Sequence, residues 1–211
     1  AHTRMTAIYG DPDTANRLFK SQIETKPDNF MAQYGYGLVL NRKGNPKAAI
    51  NHLKIALENN PVDPCMEIDL GIIYFTAGEY LEALKILEKT SKSALNGNIG
   101  RIYTGRTLMA LGRYEEAVDT FNSLIKSDPD NINVYLYLGE TTGKLNRLGS
   151  AHYNLGQYYV KTKHLQNAKF HLTKALENET NPEQIEKIKK QVKKKSSIIS
   201  NEGLSAYGFS Y

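Results

Sequence analysis

The chain has no tryptophan and a single cysteine in 211 residues. One thiol cannot close an internal disulfide, and Cys65 reads as a small apolar residue rather than a reactive one. No stretch approaches the roughly 18 to 20 consecutive apolar residues of a membrane span, and no secretory signal peptide is visible at the start. The glycines are spread out rather than clustered into a phosphate-cradling loop. A Gly-x-Ser-x-Gly elbow is missing, and so is the His-Glu-x-x-His pattern of a zinc peptidase. Five histidines are present (His2, His52, His152, His164, His171), none paired at His-x-x-x-His spacing. His164 and His171 could share a helix face, but no acidic or Cys ligand joins them, so packing or solvent-facing roles are expected. The expectation is therefore no catalytic residue, no cofactor and no metal: this segment is not an enzyme.

Charge of one sign is also scarce outside the C-terminal end. The net charge is +5. From Pro182 to Tyr211 six lysines (187, 189, 190, 193, 194, 195) face Glu183, Glu186 and Glu202, which leaves only +2 for all that precedes. The basic isoelectric point is a property of the tail, which argues against a nucleic-acid surface over the body of the chain. The lysines either form a solvated helix face or meet RNA or an anionic membrane.

What the sequence does have is a period. Ala15, Ala49, Ala83, Ala117 and Ala151 are each 34 residues apart. Gly10, Gly44, Gly78 and Gly112 keep the same period, continued by Asn146. Gly37, Gly71, Gly105 and Gly139 form a third series, and Pro27, Pro61 and Pro129 a fourth, with Leu95 in the remaining place. Each series has a physical reason. Gly44 and its equivalents suit the left-handed position that ends a helix, where Asn is the next best residue. The glycine seven positions earlier and the alanines allow close helix approach, and proline ends the second helix. Leu70, Ile73, Tyr74 and then Tyr80, Leu84, Leu87 recur at helical, not strand, intervals.

These units resemble tetratricopeptide repeats. Asp69-Leu70-Gly71-Ile72-Ile73-Tyr74 with Gly78-Glu79-Tyr80-Leu81-Glu82-Ala83 carries the pattern, as does Asn154-Leu155-Gly156-Gln157-Tyr158-Tyr159 with Ala168, Leu172 and Ala175-Leu176. The large aromatic that usually opens a unit is replaced by Gln33, Glu67 and Arg101, and only Tyr135 is aromatic. The resemblance implies an all-α helix-turn-helix solenoid of about ten to twelve antiparallel helices in a right-handed superhelix, whose work is binding protein or peptide.

The period breaks at the ends and at one joint. Residues 1–28 read as a clipped first unit, mainly its second helix, so a preceding segment is expected to cover it. Residues 29–131 are three full units. Residues 132–181 are one and a half, since Gly139 and Gly156 stand half a period apart, and the helix at 149–162 closes one unit and opens another. A basic capping helix follows at 182–195, with Ile185, Ile188 and Val192 as its stripe, and then a tail at 196–211. This joint and the Lys-rich cap are similar, over Gly139 to Lys195, to the C-terminal region of BepA-like bacterial zinc metallopeptidases. That resemblance implies an upstream metallopeptidase domain, a periplasmic or envelope location with the cytoplasm as the alternative, and a role in protein quality control. The alternative function is a free-standing scaffold or adaptor that assembles a multiprotein complex.

The candidate protein-binding groove is the inner face of the first helices: Tyr34, Leu38, Ile68, Ile72, Phe75, Tyr103, Arg106 and Tyr137. Amphipathic tyrosines are good contact material, while packing against neighbouring helices is the alternative role for the same side chains. The Lys, Asn and Arg set that grips acidic chaperone tails is largely replaced there by apolar residues, so the expected ligand is an extended or partly unfolded polypeptide.

Overall fold

The computed structural model describes residues 2–60, 63–90 and 97–190. Pro61, Leu95, Val192, Lys193, Lys194, Lys195 and the tail lie outside the described residues. Among the described residues every regular element is helical: α1 (His2–Tyr9), α2 (Pro12–Thr25), α3 (Phe30–Arg42), α4 (Pro46–Asn59), α5 (Pro64–Thr76), α6 (Tyr80–Thr90), α7 (Gly97–Ala110), α8 (Tyr114–Ser127), α9 (Ile132–Lys144), α10 (Leu148–Lys161) and α11 (Leu165–Asn178). A twelfth helix, α12, runs over 182–190. None is long and apolar enough to cross a membrane.

The helix boundaries follow from short local signals. Asp11, Asn29, Asn45 and Asp63 each accept a hydrogen bond from a first-turn amide of the helix they precede, and Pro12, Pro46 and Pro64 open the helical turn. Such a side chain satisfies one of the amides that a helix start leaves without a partner. At the other end Gly44, Gly78 and Gly112 have φ of 80°, 80° and 74°. Asn146 (φ 57°) takes the same conformation, and so does Lys163 (φ 62°), between α10 and α11. Gly10 keeps the 34-residue period but not the conformation; its amide donates to the Thr6 carbonyl and continues the α1 ladder.

Two compact units are resolved, one ending at Leu111 and the other beginning at Gly112. In the first, α2 through α7 pack each on the next and α1 lies against α3. Its core joins Phe19, Val39, Leu53, Met66, Ile73 and Leu87. In the second, α8, α9, α10 and α11 pack in succession. Phe121, Leu124 and Val134 are fully buried there, and Ile188 of α12 packs with Leu172 and Ala175.

One contact repeats. A Cβ added to Gly71 would lie 2.7 Å from the Leu87 side chain, and one on Gly37 would run into Leu53. The same clash would bring Gly139 against Leu155 at 2.8 Å and Gly156 against Leu172 at 2.7 Å. In each case the leucine stands sixteen residues after the glycine, on the next helix. The two helices approach so closely that no side chain fits between them. α10 enters this relation twice: Leu155 meets Gly139 of α9, and Gly156 admits Leu172 of α11.

Candidate functional site

In the first unit a cleft of about 460 Å³ opens between α1, α3, α5 and α7. Leu38, Ile72 and Tyr103 line it, together with Arg4, Ile8 and Tyr9 of α1 and Ile99 of α7. Leu38 is almost fully covered, whereas Tyr9 is 72% and Ile99 45% exposed, so apolar surface faces solvent at the rim. The wall behind it is polar and closed. Arg4 donates to the Asp69 carboxylate from Nε (2.8 Å) and Nη2 (3.1 Å), and the Tyr34 hydroxyl donates to the same group at 2.6 Å. The hydrogen bond to Asp69 holds the Arg4 guanidinium firmly protonated. Burial, reinforced by the Asp69 charge, pushes the Tyr34 phenol well above its usual range.

This triad changes the expected groove. Tyr34 is 3% exposed and its hydroxyl is committed to Asp69, so it braces the cleft instead of facing a ligand. Ile68, 4% exposed, packs toward Gly100 of α7. Phe75, Tyr103 and Arg106 do come together. The Phe75 and Tyr103 rings meet edge to face at 5.4 Å, and the Arg106 guanidinium lies over both, at 4.7 and 4.8 Å. Stacking of this kind orients the rings and holds the cation against them. Tyr137 belongs to the second unit, on α9, where it stacks on Phe121 at 5.8 Å. Arg4, Ile8 and Tyr9 carry no signal in the sequence pattern, which marks α1 only as part of a clipped repeat, whereas the structure makes it a wall of the cleft.

The second unit holds a cleft of about 580 Å³ between α8, α9, α10 and α12. Asn122, Ser150, Asn154, Gln157 and Gln184 line it, with Arg147 and Lys187. Arg147 is bridged to Glu115 at 2.7 Å, and the Lys187 ammonium stands 5.6 Å from the Tyr153 ring. The lining contains two cations and no carboxylate. Its spacing along α10, with Arg147, Ser150, Asn154 and Gln157 three or four apart, marks one helix face. That face belongs to the helix at 149–162, which the sequence reads as closing one unit and opening the next.

Across the same α10–α11 contact His152 and His171 join Nδ1 to Nδ1 at 2.9 Å. Burial, with His152 beside it, lowers the His171 pKa. The corresponding place in the first unit holds Gln33 and His52: the His52 Nδ1–H donates to the Gln33 carbonyl oxygen at 2.6 Å, and the Gln33 amide donates to the Pro27 carbonyl. Both pairs sit four residues before and fifteen after the close-contact glycine, Gly37 or Gly156.

Known proteins agree with this architecture. Family models described as tetratricopeptide repeat match residues 10–64 and 149–181, and one described as TPR repeat matches 105–146. The match that begins at Gly149 takes α10 and α11 as one repeat. Anaphase-promoting complex subunit 3 of Schizosaccharomyces pombe is 26% identical over 122 residues, 58% of this chain and 18% of that protein. A TPR repeat-containing protein of Methanocaldococcus jannaschii is 29% identical over 120 residues, 56% of this chain and 21% of that one. The chain thus spans about a fifth of the length of these curated relatives. Among solved structures, MamA superposes with a TM-score of 0.67 at 19% identity, over 77% of this chain and 95% of that one. YrrB, titled a TPR protein with an unusual peptide-binding site, gives 0.53 at 17% identity, over 82% and 97%. These likenesses show the fold, and with the three repeat matches they establish that the chain belongs to the tetratricopeptide repeat (TPR) family.

Proposed function

We propose that this chain is a non-catalytic protein-binding module that takes an extended, partly unfolded polypeptide into the cleft between α1, α3, α5 and α7. Family membership supports protein binding without enzymatic chemistry in this segment. The observation that carries the choice of cleft is its composition. Ile8, Ile72, Ile99 and Tyr103 offer apolar contact, while the Arg4–Asp69–Tyr34 triad, already satisfied internally, holds the walls in place. Pre-formed walls lower the ordering cost of binding. The test uses a fluorescein-labelled, reduced and carboxymethylated protein as a permanently unfolded probe. Ile72→Ala combined with Tyr103→Ala is expected to weaken binding about tenfold, or ~1.4 kcal/mol, with helicity unchanged by circular dichroism. Unchanged affinity would remove this cleft from the reading.

The wider setting has two forms. A free-standing scaffold role is supported by relatives described as anaphase-promoting complex subunits. The finer reading, the substrate-binding region of a BepA-like zinc metallopeptidase in the periplasm, is supported by the half-period joint at α10. It requires a His-Glu-x-x-His motif in the coding sequence upstream of Ala1, and a coding sequence without one returns the protein to the scaffold role, in the cytoplasm or elsewhere. RNA or anionic-membrane binding through α12 has less support, because Lys189 is paired with Glu186 and Lys187 lies against Tyr153. Fluorescence anisotropy with labelled RNA and with anionic vesicles is expected to show no salt-sensitive binding; a steep salt dependence would reinstate it.

A further inference from the structure

We propose that His152 and His171 form a two-histidine site for a borderline transition-metal ion, with Cu(II) the preferred occupant. The two Nδ1 atoms are 2.9 Å apart, between α10 and α11. The ring centroids are 5.1 Å apart with planes tilted by 38°. At a metal–nitrogen distance of about 2.0–2.1 Å, that separation closes an angle of about 90° at the ion. Such a cis pair belongs to the square-planar and tetragonal nitrogen sites of Cu(II) and Ni(II), and Cu(II) leads the divalent affinity order. A tetrahedral Zn(II) angle would need the nitrogens about 3.3 Å apart, so Zn(II) binds only after the pair opens. Both side chains are partly buried between α10 and α11, and a modest rotation of each ring brings the two lone pairs onto a common point. Tyr159, stacked on His171 at 5.3 Å, and Phe170, edge-on to both imidazoles, form apolar walls beside the ion.

The proton balance is simple. In the empty pair one Nδ1–H donates to the other Nδ1. On binding, that hydrogen is carried on Nε2 of the same ring, so neutral imidazoles ligate without net proton release near neutral pH. Among the described residues no group of three or more His, Cys, Asp or Glu gathers around a common point. The remaining coordination positions therefore belong to water or to a ligand from solution, and binding is exchangeable. The Gln33–His52 pair supplies the control within the same molecule. It has the same position relative to its glycine, and it offers only one nitrogen lone pair and a carboxamide oxygen.

The test titrates the whole chain with Cu(II), Ni(II) and Zn(II) by calorimetry, with electron paramagnetic resonance on the Cu(II) form. His152→Gln and, separately, His171→Gln convert the pair to the imidazole–carboxamide type that the fold already holds at Gln33–His52. The expected result is one strong Cu(II) equivalent with hyperfine coupling to two nitrogens. Each variant should weaken it at least about tenfold with an unchanged melting temperature. His2→Ala, which removes the histidine beside the chain start, should leave the affinity as it was. Equal affinity in wild type and His152→Gln, or loss of binding in His2→Ala alone, would overturn the site.

Discussion

The two units of the chain use the same contact at different spacings. In the first, a glycine that meets a leucine sixteen residues on appears once per repeat, and the helix that receives its leucine carries no such glycine: Gly37 meets Leu53 and Gly71 meets Leu87, while Gly35 of α3 closes instead on Phe19 of α2. In the second, α10 supplies the leucine for Gly139 and, one residue later, the glycine for Leu172. Leu155 and Gly156 are neighbours in sequence, about 100° apart around a helix of 3.6 residues per turn. One helix can therefore close one pair and open the next. The first unit places its cleft on α1, α3, α5 and α7, whereas the second builds its cleft on α8, α9, α10 and α12 and lines it with carboxamides. A change in the role of one helix is enough to change which helices line a cleft and what that lining is made of.

The comparison breaks most sharply at the glycines. Gly71→Val and Gly156→Val should each destabilise their own unit by about 1–3 kcal/mol, because the new side chain must displace a packed leucine. Denaturant midpoints read with hydrogen exchange in each unit would measure this. A neutral Gly156→Val would show that α10 does not pack on α11 as α5 packs on α6. Gly100→Ala sharpens the contrast. An added Cβ there meets Ile68 at an ordinary 3.5 Å, so the exchange should gain about 0.5–1 kcal/mol through helix propensity.

Much of this was legible in the sequence because it is local or periodic. The glycine turns at Gly44, Gly78 and Gly112 and the shared helix at 149–162 follow from the 34-residue period. The groove was legible only in part. Ile72, Phe75, Tyr103 and Arg106 keep accessible surface, but Tyr34 and Ile68 are buried by partners that no period marks. Arg4 and Asp69 are 65 positions apart, and Tyr34 and Asp69 are 35. The histidine pair was missed for a related reason. His164 and His171 drew attention as members of one helix face, while the partner of His171 lies on the preceding helix, at the offset that also joins Gln33 to His52.

A smaller effect is expected at the turn that lets α10 open a repeat. The first unit ends its equivalent helices with Gly44 and Gly78, but α10 is followed by Lys163 at φ 62°. A residue with a side chain costs roughly 1–2 kcal/mol in this conformation. Lys163→Gly should therefore raise the stability of the second unit by about 0.5–1 kcal/mol after the entropy lost by glycine is deducted. Gly78→Lys should lower that of the first by a similar amount. A Lys163→Gly variant that melts earlier than wild type would show that the lysine side chain contributes a contact larger than the strain.

The smallest effect separates the two imidazole pairs by pH. Burial lowers the pKa of both His52 and His171, and His171 is lowered further by His152. A histidine whose folded pKa lies below its unfolded value of about 6.5 contributes stability above that pH and loses it as the pH falls through the folded value. The partners then decide the size of the loss. His52 keeps its Nδ1–H bond to the Gln33 oxygen when protonated, so only burial opposes its charge. His171 faces a second imidazole instead of a carboxamide oxygen, so both burial and His152 oppose its charge. Protection factors for amides in α10 and α11 should consequently fall more between about pH 7 and pH 5 than those in α3 and α4. His152→Gln, which gives His171 an oxygen acceptor, should bring the second unit to the shallower slope of the first. Parallel slopes in the wild-type protein would mean that the imidazole pair carries no more acid sensitivity than a histidine bonded to a carboxamide.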